Sequence, residues 1–222
     1  MAKSKMIVAY IVRHGDTELN EANCFRGPMN PPLNEHGIEQ AEELHDFFKN
    51  KVIGAVFSSD KDRAVETTRI VLRGKNIPIT LMADLEALNV GALGGKKRTP
   101  ESFKMIEYYQ EHPDVPFPPG PDDDPTKNGE SLNQFRRRVR PILLFAFQKG
   151  RETGKPSLIS GHSSIVHEVG ELLQGDHTTT LVLPGGVVEV SISNGKYEAR
   201  PILKPDHERM AQGKHSHQDL VT

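Results

Sequence analysis

The sequence has a single cysteine, Cys24, no tryptophan, and a net charge of only −2 over 222 residues at pH 7. One cysteine cannot form a disulfide within the chain, and such usage is typical of reducing compartments, so we expect a cytoplasmic protein. The chain lacks the excess of lysine and arginine with which proteins bind nucleic acid or anionic membranes. No apolar stretch approaches the length of a membrane span. We therefore expect neither nucleic acid nor membrane as a partner.

The two ends of the chain differ in character. Residues 6–12 are apolar and follow Lys3 and Lys5 in a way that superficially resembles a secretory signal. They continue into Arg13 without a small-residue cleavage site, so we interpret them as a buried strand. Residues 204–222 have almost no apolar side chains, which predicts a flexible polar tail. The length between these ends suits one domain, residues 1–203.

Strand patterns alternate with helix patterns along the chain. The predicted strands are residues 6–12, 52–57, 77–82, 157–160, 187–193 and 197–202, and the predicted helices are residues 34–48, 63–72, 103–109, 130–147 and 163–173. Pro78 should place its strand at an edge, and Asn194-Gly195 predicts a hairpin turn. This alternation predicts a three-layer α/β/α sandwich with a mainly parallel central sheet. Residues 93–128 interrupt the rhythm and are predicted to form a cap or insertion.

The first long helix has the clearest pattern. Asn34 is a good helix cap, and Ile38, Ala41, Leu44 and Phe48 follow at helical spacing, so we expect these four side chains to face the core.

Polar side chains follow three of the predicted strands. His14, Ser59 and His162 each stand two residues beyond the end of a predicted strand, at residues 6–12, 52–57 and 157–160. The carboxyl ends of parallel strands share one edge of a sheet, and ligands bind outside that edge, so we expect these side chains to lie together. Neutral imidazole is a competent nucleophile near neutral pH, which makes His14 a candidate for covalent catalysis.

The neighbours of His14 suit recognition of a phosphate. Arg13 and Arg63 offer forked guanidinium donors, and the predicted helix that starts at Ser163 presents free backbone N–H groups. His162 can add a charge-assisted hydrogen bond if it is protonated. Gly15 would let the backbone turn tightly and let a substrate approach the imidazole.

Four segments in order resemble the signature of the histidine phosphatase superfamily, which includes the cofactor-dependent phosphoglycerate mutases. They read YIVRHGDTELN at residues 10–20, PLNEHGIEQA at 32–41, FSSDKDRAVETT at 57–68 and GHSSIV at 161–166. An Arg-His-Gly triplet alone is weak evidence, whereas four ordered segments are specific.

The resemblance implies a phosphoglycerate mutase-like fold and a phosphatase that hydrolyses phosphomonoesters through a phosphohistidine on His14. It implies that Arg13, Arg63 and His162 complete the phosphate pocket and that Asn20 and Ser163 make outer contacts. It also implies a small phosphorylated substrate, with no metal and no cofactor.

The proton donor departs from the family pattern. The family places its acid, usually Glu, four residues before a glycine, and counting back from Gly91 reaches Ala87. Glu86 stands one position away and is our candidate for the acid, with Glu130 and Asp84 as alternatives.

Two other functions stay open. A phosphoglycerate mutase would return the phosphoryl group to a bound intermediate, and Ala87 at the acid position favours a phospho-ligand-binding protein without catalysis. Nothing in the sequence predicts an oligomeric state.

Overall fold

The structure is a computed structural model that describes residues 5–26, 29–119 and 128–203. One sheet of six strands forms its centre, in the order β3-β2-β4-β1-β5-β6. The strands are β1 Met6–Arg13, β2 Ala55–Ser58, β3 Ile79–Leu81, β4 Ser157–Gly161, β5 Val187–Ser193 and β6 Lys196–Leu203. The α-helices are α1 Glu18–Glu21, α2 Glu35–Phe48, α3 Asp62–Val71, α4 Pro100–Glu111, α5 Leu132–Thr153 and α6 Ser163–Gln174.

The sheet is mixed but mainly parallel. β1, β2, β3 and β4 run parallel to one another, whereas β5 and β6 form an antiparallel hairpin at one side. β3 is an edge strand, as Pro78 predicts. The predicted tail, residues 204–222, and part of the predicted insertion, residues 120–127, lie outside the described residues.

Helices cover both faces of the sheet. Side chains of β1 alternate between the two faces and are apolar on both, so each face needs a layer of helices to exclude water. Ala9 and Ile11 pack in one cluster with side chains of α5 and α6. Tyr10 and Val12 pack in a second cluster with side chains of α2 and α3. Burial on both faces explains why residues 8–12 are continuously apolar. The predicted three-layer α/β/α sandwich is confirmed.

One detail of α2 differs from the prediction. Asn34 caps the helix as expected, since its side chain accepts a hydrogen bond from Gly37 N at 2.8 Å. Ile38, however, is 39% exposed and does not face the core. Gly37 and Gln40 occupy the inner face beside Ala41, because Gly37 lies against the backbone of the loop after β1.

The other predicted helices are present with bounds that differ by a few residues. α4 starts at Pro100, and Thr99 and Ser102 form a reciprocal cap at its first turn. α5 extends to Thr153 and contains Pro141. Across the described part of the chain, no helix is both long and apolar enough to cross a membrane.

Candidate active site

The two histidines of the sequence motifs meet because their strands are paired in register. Arg13 at the end of β1 is opposite Gly161 at the end of β4, so His14 and His162 follow at the same level. Their ring centroids lie 5.2 Å apart, and both side chains are fully buried. β2 pairs with the other side of β4, which brings Ser59 to the same edge. The predicted convergence at one rim of the sheet is present.

Arg63 joins the two imidazoles. It is the second residue of α3 and is fully buried. Its Nε donates to Nε2 of His14 at 3.2 Å, and its Nη2 lies 3.3 Å from Nδ1 of His162. Burial lowers the pKa of Arg63 to about 10, against the opposing charges of Glu86 and Asp62. The guanidinium therefore stays protonated near neutral pH and can only donate.

The hydrogen bonds of His14 fix which nitrogen carries the proton and which carries the lone pair. Its Nδ1 lies 2.5 Å from the carbonyl oxygen of Gly15, an acceptor, so Nδ1 carries the proton. Nε2 then holds a lone pair, which accepts from Arg63. Burial lowers the pKa of His14 well below 6.5, and the charges of Arg26 and Arg63 lower it further. The ring is therefore neutral at pH 7, the form that a nucleophile needs.

His162 is neutral as well. Its Nδ1 accepts from Arg63, so Nε2 carries the proton and donates to Ser59 Oγ at 2.9 Å. Burial is the main cause that lowers its pKa, followed by the charge of Arg63. The protonated form that would give a charge-assisted hydrogen bond is thus disfavoured in the free protein, and His162 becomes charged only when an incoming anion raises its pKa.

Arg13 and Arg26 add two further buried guanidinium groups. Nη1 of Arg13 donates to the carbonyl oxygen of Val182 at 2.8 Å, which orients the side chain. Arg26 is only 6% exposed, and burial lowers its pKa, followed by the charges of Arg13 and Arg63. Sequence reasoning missed Arg26, because it stands in an irregular loop where no spacing distinguishes it from a surface residue.

The predicted outer contacts have structural partners. A Cβ on Gly15 would lie 2.2 Å from the carbonyl oxygen of Gly37, so its small size admits the start of α2, and its role toward a substrate stays a prediction. Asn20 Oδ1 accepts from the backbone and hydroxyl of Thr17 at 3.2 and 2.9 Å, which caps α1. Ser163 is buried at the start of α6 and lines the neighbouring cavity. The roles of Asn20 and Ser163 toward a substrate stay predictions.

The three candidate acids lie in different surroundings. The carboxylate of Glu86 is 3.0 Å from Nζ of Lys61, and its charge raises the pKa of Arg63, so it lies beside the cluster. Asp84 is exposed. Arg138 clamps Glu130 with two hydrogen bonds, of 2.9 and 2.5 Å. Glu130 therefore fastens a loop, and Glu86 is the best placed of the three.

A cavity of about 290 Å³ opens beside Ser163. Its lining is mixed. One part is apolar and comprises Phe25, Ala87, Leu88, Val90, Ile106, Phe117, Leu132 and Phe135; the other is polar or charged and comprises Arg26, Arg98, Gln110, Arg136, Ser163, Ser164, His167, Glu168, Glu171 and His177. The residue at the family's acid position, Ala87, thus faces the cavity as a methyl group. The cavity has room for an organic group attached to a phosphate held at the histidines.

The model of the histidine phosphatase superfamily (branch 1) matches residues 9–198. The chain belongs to this superfamily. The match includes all four motif segments and both histidines, so the family predicted from the sequence is confirmed.

The relatives of this superfamily member include phosphatases and mutases. It is 37% identical to an adenosylcobalamin/alpha-ribazole phosphatase from Salmonella typhimurium over 134 residues, 60% of this chain and 64% of that protein. It is 32% identical to a 2,3-bisphosphoglycerate-dependent phosphoglycerate mutase from Parvibaculum lavamentivorans over 177 residues, 74% of this chain and 80% of the other. The chain thus aligns with less than two thirds of the length of the first relative.

Solved structures agree on the fold. A phosphoglycerate mutase from Bacillus anthracis superposes with a TM-score of 0.68 at 24% identity and covers 95% of this chain and 98% of its own. A putative alpha-ribazole-5'-P phosphatase from Escherichia coli gives 0.68 at 20% identity, with 90% and 96% covered. These likenesses confirm the phosphoglycerate mutase-like α/β fold.

Proposed function

We propose that this superfamily member is a phosphatase that hydrolyses small phosphomonoesters through a phosphohistidine on His14. The observation that carries the proposal is the state of His14: its Nδ1 is held by Gly15, its Nε2 bears a lone pair, and a guanidinium stands beside that lone pair. A buried, neutral and oriented imidazole next to cations suits nucleophilic attack on an anionic phosphoryl group.

In the first step, Arg63 shifts its hydrogen bond from Nε2 of His14 to a phosphoryl oxygen, and the released Nε2 attacks phosphorus in line with the ester oxygen. The N–P bond forms as the P–O bond breaks, and the departing oxygen takes a proton from the Glu86 carboxylic acid. In the second step, water attacks the phosphohistidine, and Glu86 takes a proton from it. The N–P bond breaks, which frees inorganic phosphate and restores the neutral ring.

The surrounding groups would hold the phosphoryl oxygens. Arg13 and Arg63 provide forked donors, and His162 donates once the dianion raises its pKa. The first backbone N–H groups of α6, which starts at Ser163, would donate to the same phosphoryl oxygens. Asn20 supports the loop as an outer contact. This chemistry requires neither a metal nor a cofactor, and a cytoplasmic location suits the single cysteine.

The test is to trap the intermediate. Full-length protein is mixed with 4-nitrophenyl phosphate in chelator, quenched in base, and analysed for a phosphorylated peptide that contains His14. We expect a phosphohistidine there, and His14→Ala should lower kcat/KM at least about a thousandfold while circular dichroism shows an unchanged fold. Well-folded protein that binds phosphate without turnover would instead indicate a binding protein.

A mutase is the second candidate, because the relative from Parvibaculum lavamentivorans is matched over 80% of its length. Product analysis with a phosphoglycerate and its bisphosphate separates the two. A phosphatase releases inorganic phosphate in step with substrate loss, whereas a mutase yields the isomeric phosphoglycerate.

A further inference from the structure

Arg138 holds the loop that carries the candidate acid. It lies on α5, is partly buried, and its guanidinium carbon lies over the ring of Phe135, 5.0 Å from the centroid. Its Nη1 donates to the carbonyl oxygens of Asp84 and Glu86 at 2.8 and 2.9 Å, and its Nη2 donates to that of Ala87 at 3.0 Å. One side chain on α5 therefore fixes three carbonyl groups of the same short loop.

The remaining donors of Arg138 hold Glu130. Nε donates to Oε2 at 2.9 Å and Nη2 donates to Oε1 at 2.5 Å, so this contact is bidentate. The carboxylate of Glu130 also accepts from Asn89 N at 2.9 Å, and the backbone N–H of Glu130 donates to the Asn89 carbonyl at 3.0 Å. Arg138 and Glu130, here called the clamp, thus hold the loop at residues 84–87 and again at Asn89. All the N–H donors of the guanidinium have acceptors.

The loop has little regular structure of its own. Ala83–Leu85 is a single short 3-10 helix, and Glu86 follows it in an extended conformation with φ −62° and ψ 156°. The side chain of Glu86 pairs with Nζ of Lys61, but both side chains are partly exposed, and ion pairs that water reaches contribute little to order. The position of the Glu86 carboxyl group therefore depends on the backbone that the clamp holds.

The clamp lies close to the reacting groups. Burial lowers the pKa of Arg63 to about 10, and the nearby charge of Glu86 opposes this shift. Burial is the main cause that lowers the pKa of His162, and Arg138 is one of the charges that lower it further. The side chain of Glu86 thus faces the arginine that contacts both histidines, while its carbonyl oxygen is held by Arg138.

We propose that Arg138 is a positioning residue for the reaction, because its grip on residues 84–87 keeps the Glu86 carboxyl group within reach of the leaving oxygen. The inference rests on the proposed function, in which Glu86 supplies the proton. Arg138 has no donor left for a substrate, so its replacement should lower kcat through Glu86 and leave KM nearly unchanged.

Arg138→Lys tests this inference. Lysine keeps the charge but has its donors on a single nitrogen, so it cannot hold three carbonyl groups and a carboxylate together. We expect kcat for 4-nitrobenzyl phosphate, whose leaving oxygen is strongly basic, to fall about tenfold to a hundredfold, the cost of a misplaced catalytic group. The kcat for 4-nitrophenyl phosphate should fall much less, because its leaving oxygen hardly needs a proton. Arg137→Lys, at the exposed neighbouring position, is the matched control and should resemble the wild type.

The deciding measurement combines Arg138→Lys with Glu86→Gln. If Arg138 acts through Glu86, the double variant is no slower on 4-nitrobenzyl phosphate than Glu86→Gln alone. If Arg138 only supports the fold, the two losses multiply, and that result would overturn the inference. Should Arg138→Lys lose the circular dichroism of the folded chain, Arg138→Gln/Glu130→Gln replaces it in the same comparison, because it removes both charges of the pair together.

Failure of this inference differs from failure of the proposed function. Glu86→Gln without any dependence on the leaving group would refute Glu86 as the acid and the role of Arg138 with it. If Glu86→Gln shows that dependence while Arg138→Lys keeps the wild-type rates, the positioning role is refuted and the proposed function stands. Hydrogen exchange adds a readout without turnover, since the Leu88 amide in the clamped loop should exchange at least about tenfold faster in Arg138→Lys. Unchanged exchange there would also overturn the inference.

Discussion

Proton positions around the candidate site follow from one residue. Arg63 can only donate, so the two ring nitrogens that face it must both be acceptors. The opposite nitrogens of His14 and His162 then carry the protons and donate to Gly15 and Ser59. A lysine in place of Arg63 has donors on a single nitrogen and cannot contact both rings in this fixed geometry.

We therefore expect Arg63→Lys to lower kcat/KM by about a hundredfold to a thousandfold, the range seen when one preorganised donor is removed from an active site. Steady-state rates on an aryl phosphate measure the effect. Arg69→Lys, an exposed position of the same helix, is the control and should stay close to the wild type. A loss of less than about threefold in Arg63→Lys would contradict the assigned role, since a forked donor is worth far more.

The assignment of Glu86 as the acid makes its own prediction. An acid matters most when the leaving oxygen is strongly basic, so Glu86→Gln should slow alkyl phosphates by about a hundredfold or more and nitrophenyl phosphate much less. Comparing kcat across leaving groups of graded basicity checks this. Glu130→Gln should show no such gradient, because Arg138 holds that carboxylate. The same gradient in both variants would refute the assignment.

Helix α2 positions the nucleophile through a close contact of two glycines. A Cβ on Gly15 would meet the Gly37 carbonyl at 2.2 Å, and one on Gly37 would meet the Asp16 carbonyl at 2.1 Å. Gly15 belongs to the motif at residues 10–20 and Gly37 to the motif at residues 32–41, so the contact joins two of the sequence motifs. The loop after β1 therefore rests directly on the first turn of α2. Gln40 extends the contact with a hydrogen bond from Asp16 N at 2.8 Å.

Gly37→Ala should therefore destabilise the protein. The added methyl group has no space, and forced overpacking of this kind lowers the free energy of unfolding by about 1–3 kcal/mol. Urea denaturation followed by circular dichroism gives the value. Glu43→Ala on the exposed face of the same helix is the matched control and should change it by less than about 0.5 kcal/mol. Equal stability of both variants would show that the two segments can separate without cost.

At the scale of the whole molecule, burial of neutral histidines makes stability depend on pH. The pKa values of His14 and His162 are lowered well below 6.5 in the folded chain. Below pH 6.5 the unfolded chain therefore binds protons that the folded chain does not. Under this linkage the free energy of unfolding falls as the pH decreases through 6.5 toward the lowered values.

We expect the urea midpoint of the wild type to fall between pH 7.5 and pH 5.5, and His162→Asn to show a smaller fall because one titrating group is gone. The comparison uses the difference between the two pH values within each variant, so a general loss of stability cancels. An identical pH dependence in both proteins would mean that His162 titrates normally when folded.

Much of this architecture could be predicted from the sequence because its signals are local. A continuous apolar run identifies β1, the short segment before Gly161-His162 identifies β4, and parallel pairing of the two strands brings His14 and His162 to one edge. The rest depends on contacts between distant segments. Ile38 faces outward because Gly37 sets the rotation of α2, and Arg26 is oriented by a ladder with residues 95–98. Glu86 forms an ion pair with Lys61, and no spacing in the sequence predicts that contact.

The strand order has a consequence for biosynthesis. β4 lies between β2 and β1, although both are made long before it. A nascent chain that ends before residue 157 therefore contains His14 but lacks β4, the strand that pairs with β1 beside it. The pairings of β4 join residues about 100 to 150 positions apart, which is the kind of topology that folds slowly. Phosphate should therefore bind only after translation has passed α6.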